Sequence, residues 1–261
     1  MEKVEYGIKE ATPSLPDRAL LVVPHKDKVL TVSYPAFGPN TYSGNLAEMQ
    51  KRYSHSEDLP NISFRELTTS ESISAVAYKF AERAKPEIFD PRWFQAGRIA
   101  RTSKGVFANL PKDAQGNPIL DEKVLNSYLD KAEKVKVGNG HIYLGENDFG
   151  FAEYETFEQK VQDCDTFAES GLARVLEHTK GRAEKLREIA SPKLYKRGVN
   201  IWGFDSVSES VLRVARLDSG RDIGSDRLDV VGNYWYYSYG DGYFGFAFGG
   251  LVSGEASTQK N

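Results

Sequence analysis

Short turns between β-prone runs constrain this chain more than any other feature. Lys134-Val135-Lys136-Val137 and His141-Ile142-Tyr143-Leu144 flank Gly138-Asn139-Gly140. Asn-Gly between such runs is a strong hairpin signal, because both residues tolerate the positive φ of a tight turn. Ala19-Leu20-Leu21-Val22-Val23 and Val29-Leu30-Thr31-Val32-Ser33-Tyr34 flank the polar Pro24–Lys28 turn in the same way. Both apolar runs are nearly continuous, which predicts burial on both faces. Residues 98–109 read as a further hairpin around Ser103-Lys104-Gly105, and 234–239 with 243–248 as an aromatic one around Gly240-Asp241-Gly242. Strands at 199–204 and 211–217 complete the set. Strands paired through short turns, with helices between hairpins, predict an α+β fold with a largely antiparallel sheet.

The helices are marked by caps and by apolar residues at helical spacing. Thr68 and Glu71 form a capping box, followed by Ile73, Val76, Ala77, Phe80, Ala81 and Ala84 on one stripe, with Pro86 as the stop. Asp121 caps a helix that puts Val124, Leu125, Tyr128, Leu129 and Ala132 on one face. A second capping box, Thr156 with Gln159, predicts one long helix through Phe157, Val161, Cys164, Phe167, Leu172, Val175 and Leu176. Shorter helices are expected over 46–53 and 182–190. Residues 35–44 read as loop, and the polar insertion 110–120 as a mobile segment and a conceivable subdivision point. The expected organisation is an irregular lead-in over 1–18, one domain over 19–252 and a frayed tail over 253–261.

Composition narrows the function classes. The net charge of -3 gives no overall attraction to nucleic acid or anionic lipid. The N-terminus lacks a signal-peptide pattern, and no apolar run is long enough to span a membrane. Cys164 is the one cysteine, which excludes an internal disulfide and fits a reducing compartment, so a cytoplasmic location is expected. There is no Walker A motif, dinucleotide-binding glycine pattern, His-Glu-x-x-His or cysteine pair, and His25, His55, His141 and His178 show no metal-ligand spacing. No cofactor is expected.

Three constellations remain. Asp163-Cys164-Asp165-Thr166-Phe167 offers a cysteine close to a helix start, where the helix dipole favours thiolate, with His141 as a base. Flanking Asp163 and Asp165 oppose the thiolate, and Cys164 lies on the apolar stripe of its helix. The string Asp-Cys-x-x-Phe resembles the nucleophile region of NlpC/P60-type papain-like peptidases over residues 163–167. That resemblance implies a cysteine-dependent hydrolase. In the family the histidine follows the cysteine on a strand, whereas the later histidine here, His178, falls on the same expected helix.

The second constellation is Asp218, Asp222 and Asp226 in a glycine-containing loop, a weak oxygen-ligand set with Arg221 and Arg227 at hand to pair with the carboxylates instead. Glu146-Asn147-Asp148 offers oxygens too, but reads as turn chemistry. The third is aromatic: Trp235, Tyr236, Tyr237 and Tyr239 with Tyr243 and Phe244, free of Lys and Arg between Val230 and Val252. Tyr and Trp give large, stiff contact area with a polar tip, which suits a protein interface; the missing cations disfavour nucleic acid. Arg92 beside Trp93 could clamp an anion or stack on the ring. The resulting expectation is a binding or assembly protein whose aromatic C-terminal hairpin contacts protein, itself or another, with a small ligand as a further option. The cysteine hydrolase is the alternative.

Overall fold

In the computed structural model, residues 19–54, 62–81, 93–219, 226–234 and 245–253 are described. The chain runs β1 (Ala19–His25), β2 (Lys28–Asn40), α1 (Tyr42–Ser54), β3 (Ile62–Glu66), α2 (Thr69–Ala81), β4 (Trp93–Arg101), β5 (Gly105–Ala108), α3 (Glu122–Leu129), β6 (Glu133–Val137), β7 (Gly140–Leu144) and β8 (Gly150–Glu153). A 3-10 turn at Tyr154–Thr156 follows, then β9 (Val161–Gln162), α4 (Cys164–Glu169), α5 (Gly171–Glu177), α6 (Glu184–Ile189), β10 (Val199–Trp202), β11 (Val211–Ser219), β12 (Leu228–Tyr234) and β13 (Gly245–Ser253). Among the described residues the structure is thus mixed α and β around one 13-stranded sheet with a main path β6-β7-β8-β5-β4-β11-β12-β10-β9. Most pairs are antiparallel, but β10 and β12 run parallel, and β13 touches β4 through a parallel bridge at Phe246↔Phe94.

Strand alternation places two cores on opposite faces of the central strands. Ile99, Val106, Ala108 and Ala152 join the main core with residues of α2, α4, α5 and α6. Ala100, Phe107 and Phe151 face the other way and pack with Leu110, Leu125 and Phe149 under α3. The β4, β5 and β8 strands are therefore covered on both faces, which accounts for the four consecutive buried residues of β5.

Local chemistry explains most boundaries. The Thr68–Glu71 capping box forms: Glu71 N–H donates to Thr68 Oγ1 at 3.2 Å, and Thr68 N–H to Glu71 Oε2 at 3.0 Å. Asp121 caps α3 through the N–H groups of Lys123 and Val124. The Gly138-Asn139 turn joins β6 to β7 in the expected register, with Val137 opposite Gly140.

Three expectations are corrected. The long helix over 157–176 is two short ones preceded by a strand. Asp163 starts α4 by accepting from the Asp165 and Thr166 N–H groups, and Ser170, extended at ψ 151°, ends it and caps α5. Thr156 caps nothing there; its hydroxyl donates to Glu153 O. The loop expected at 35–44 is largely strand: β2 continues to Asn40, and its prolines sit beyond the stretch paired with β1, where strand N–H groups are dispensable. The β1–β2 hairpin is not buried on both faces; Leu21, Val23 and His25 alternate with half-buried residues. The aromatic hairpin expected over 234–248 falls mostly outside the described residues, its ends lying in β12 and β13. Within the described residues β12 joins β11 and β10, whereas β13 joins β2, β3 and β4.

Candidate binding cleft

The candidate site is an open cleft of about 560 Å³ between the end of β3, β4, the loop after β5, the C-terminal end of α3 and the β7–β8 turn. This is within the range of roughly 300–1,000 Å³ common for small-molecule sites. Its apolar side is Leu110, Pro111, Phe149 and the ring of Tyr128, which lies 5.5 Å from Phe149 between centroids. Tyr128 is 39% exposed, so the apolar face expected for α3 is only partly buried and its aromatic member borders the cleft.

One end is an ion network. Arg98 Nε donates to Glu66 Oε1 at 2.7 Å, its Nη2 to Oε2, Lys112 Nζ to Oε2 at 3.1 Å and the Tyr42 hydroxyl to Oε1 at 3.0 Å. Glu66 has its lone pairs committed inside this network. Lys112 is fixed by the 110–120 insertion, which closes on itself as a small hairpin: Lys112 bridges Pro118, Ile119 N–H donates to Pro111 O at 2.9 Å, and Asp113 accepts from the Gln115 and Asn117 N–H groups.

The opposite wall is held by residues in the left-handed region. Asn109, Asn147 and Asp148 have φ of 55°, 54° and 61°. Asn and Asp tolerate this region best among residues with a Cβ, and such conformations concentrate at functional sites. The Asn109 side chain accepts from Thr69 N–H at 2.6 Å and donates to Asp148 O at 2.8 Å, tying α2 to the β7–β8 turn. His178, left-handed at the end of α5, donates from Nε2 to Gly145 O at 2.9 Å and Phe149 O at 3.2 Å. Its Nδ1 then accepts from Lys26 Nζ at 2.9 Å. Burial and the Lys26 charge lower its pKa, consistent with this neutral ring.

Behind that wall lies a buried polar cluster. Asp148 pairs with Lys26 and accepts from the Thr68 hydroxyl at 2.7 Å. Burial alone would raise its pKa, but the neighbouring His25 ring, Lys26 and Thr68 outweigh burial and hold it far below the usual carboxylate range. Glu71, 1% exposed, receives both Arg65 Nη atoms at 2.6 and 2.9 Å and Lys28 Nζ at 2.9 Å. Burial again opposes, and these partners hold its pKa at about 2. Ser74 Oγ donates to Ser70 O at 3.0 Å and accepts from Lys185 Nζ at 2.8 Å, so His25 Nδ1 must be the donor across its 2.7 Å contact with Ser74.

His25, Glu71 and Asp148 each bring a ligand atom within 4.8 Å of the others, a composition able to hold a divalent cation. The arrangement does not favour one. Arg65, Lys28 and Lys26 already occupy the carboxylate lone pairs, and another cation would face their charges.

Cys164 lies in the main core, 5% exposed. Burial and the charge of Asp165 raise its pKa, the opposite of an activated thiol. The backbone of His141 donates to Glu153 Oε2 at 2.7 Å and its ring nitrogen Nδ1 lies 3.4 Å from the same atom; no hydrogen bond joins it to Cys164 among the described residues. The geometry gives the hydrolase reading no support. Asp218 is not a free oxygen ligand: it is bound by both Nε (2.9 Å) and Nη2 of buried Arg216, and burial pushes its pKa up to about 6. Asp226 is left-handed at φ 48° and gives its carbonyl to Arg197 N–H at 3.0 Å. Arg227 pairs with Asp229 at 3.1 Å. The backbone of Trp93 pairs with Asp218 at the start of β4. Arg92, Asp222, Trp235, Tyr236, Tyr237 and Tyr239 lie outside the described residues.

Sequence reading passed over the cleft, because its walls come from five separated segments. The signal that could have flagged it is Asn147-Asp148, a pair suited to left-handed backbone, placed as a turn before Phe149.

No protein-family model and no curated protein matches the chain. Among solved structures it is similar to one described as "Accommodation of massive sequence variation in Nanoarchaeota by the C-type lectin fold", with a TM-score of 0.47 and 16% identity, covering 82% of this chain and 95% of that one.

Proposed function

We propose that this chain is a binding protein whose contact surface is the aromatic segment between β12 and β13, directed at another protein or a second copy of itself. The observation that carries the reading is how firmly both flanks are held. Tyr234 ends β12 opposite Val214 of β11. Gly245 opens β13 opposite Asn40. Its carbonyl accepts from the buried Asn45 side chain at 2.8 Å, and the next register position brings Phe246 against Phe94. The stretch containing Trp235, Tyr236, Tyr237 and Tyr239 therefore links two strands that each pair within the sheet, and segments tethered on a scaffold in this way commonly carry recognition. The proposal takes residues 19–252 as one domain, supported by a core cluster running from Leu21 to Phe248. Its place would be the cytoplasm, supported by the lone buried cysteine and by the lack, among the described helices, of one long and apolar enough to cross a membrane.

The test is a Tyr236→Ser/Tyr237→Ser double variant. Light scattering should show a lower mass than the unmodified protein, or capture of protein partners should fall, with circular dichroism unchanged. Unchanged mass together with unchanged capture refutes the proposal.

A further inference from the structure

We infer that the cleft beside Tyr128 is a binding site for a small organic anion with a flat apolar ring. The inference is independent of the aromatic segment. It follows from which polar groups in the cleft are already used. Glu66 accepts from Arg98, Lys112 and Tyr42. Thr68 donates to Asp148 and accepts from Glu71 N–H, and both ends of the Asn109 amide are engaged. Gly145 O receives His178, Glu146 O receives Phe149 N–H at 3.0 Å, and Pro111 O receives Ile119 N–H.

Of the charged groups that remain toward the opening, most are cationic. Lys112 spends one of its three N–H bonds on Glu66, and Lys131 has no side-chain partner among the described residues. The opposing open charge is Glu146, on the exposed tip of the β7–β8 turn. Arg98, Lys112 and Lys131 against Glu66 and Glu146 leave the lining with an excess of positive charge. Beside these ammonium groups lie the Tyr128 ring and the Leu110–Pro111 surface, which can cover one face of an aromatic ring. An anion seated between Lys112 and Lys131 with its ring on Tyr128 satisfies both halves of the lining at once. A neutral ligand would gain no charge-assisted bond from the lysines, and a cationic one would oppose them.

The test uses 2-naphthoate and its neutral counterpart 2-naphthol as probes, titrated by calorimetry into the full-length protein. Naphthoate should bind roughly tenfold or more tightly than naphthol, the difference one charge-assisted hydrogen bond makes. Lys131→Ala, at an exposed position, should weaken naphthoate by roughly tenfold while leaving naphthol and the melting temperature unchanged. Tyr128→Ala should weaken both probes. The inference is overturned if naphthoate does not bind at millimolar concentration, if naphthol binds equally well, or if Lys131→Ala leaves naphthoate affinity unchanged.

Discussion

Replacing Glu71 by Gln removes the charge that Arg65 and Lys28 share while keeping the shape of the side chain. Glu71 is 1% exposed and closes the cap of α2 through Thr68 N–H. Its pKa falls from 4.5 to about 2 on folding, which corresponds to about 3 kcal/mol in favour of the folded state. Arg65 and Lys28 are 35% and 54% exposed in their side chains, so solvent screening reduces this to about 2 kcal/mol. Because folding depresses the pKa, the contribution is fully present above the ordinary carboxylate value. It is lost as pH falls from 4.5 toward 2. Urea unfolding of the wild type and Glu71→Gln, compared at pH 7 and at a series of values down to pH 2.5, reads the difference directly. Other carboxylates titrate over the same range in both proteins and cancel in the comparison. The variant should be less stable by about 2 kcal/mol at pH 7, and the gap should shrink steadily below pH 4.5. A gap of the same size at both ends of the series, or no gap at pH 7, refutes the assignment of this energy to the Glu71 charge.

Cys164 should resist alkylation in the native state at pH 8 and react only as urea unfolds the core, because it is 5% exposed with a raised pKa; mass spectrometry reads this, and rapid native modification would contradict the burial. Gly105→Ala should destabilise the protein by about 3 kcal/mol, since its new Cβ would lie 2.2 Å from Ala152 O on the neighbouring strand. Gly181→Ala, with nothing within 4 Å of the new methyl and no positive φ, should be neutral or slightly stabilising when both variants are compared by thermal melts; equal losses at the two positions would show that the β5–β8 approach is not what requires glycine.

Local signals were legible where local chemistry decides the structure. The Thr68–Glu71 box, the Asp121 cap and the Gly138-Asn139 turn each complete their hydrogen bonds within a few residues, so spacing alone revealed them. The stripe from Phe157 to Leu176 misled because helical spacing survives across a break. Phe167, Ala168, Leu172, Val175 and Leu176 do face one core, but α4 and α5 reach it as separate helices joined at Ser170, whose hydroxyl caps the second by accepting from Ala173 N–H. A serine inside an apolar stripe carries either meaning, and only the tertiary contact selects one. The ends of the expected aromatic hairpin show how far such signals reach. Tyr234 and Gly245 stand only 11 residues apart, yet their strands pair with partners far away in sequence, Val214 and Asn40. Turn chemistry alone suggests the shortest connection and carries no information about a longer one.

The cleft and its backing cluster show why a site can be invisible in sequence although each of its residues is ordinary. His25 ends strand β1, Glu71 belongs to a helix cap, Ser74 to a helix interior and Asp148 to the β7–β8 turn. Each role is explained locally, so none demands a second partner. Folding then supplies one: the β1–β2 turn delivers Lys26 to Asp148 and Lys28 to Glu71, while α6 delivers Lys185 to Ser74. The Asp148 carboxylate secures Thr68 and Lys26, while its carbonyl takes the Asn109 amide and so fixes the wall on which Asn147 and Glu146 stand. Among the described residues, the cleft charges without a side-chain partner, Lys131 and Glu146, stand at its open side, while the carboxylates behind it, Glu71 and Asp148, are matched by Arg65, Lys28 and Lys26. Lysine ammonium groups at an opening backed by satisfied buried charge suit an anion, because the buried carboxylates Glu71 and Asp148 are already engaged and do not compete for the ligand's place.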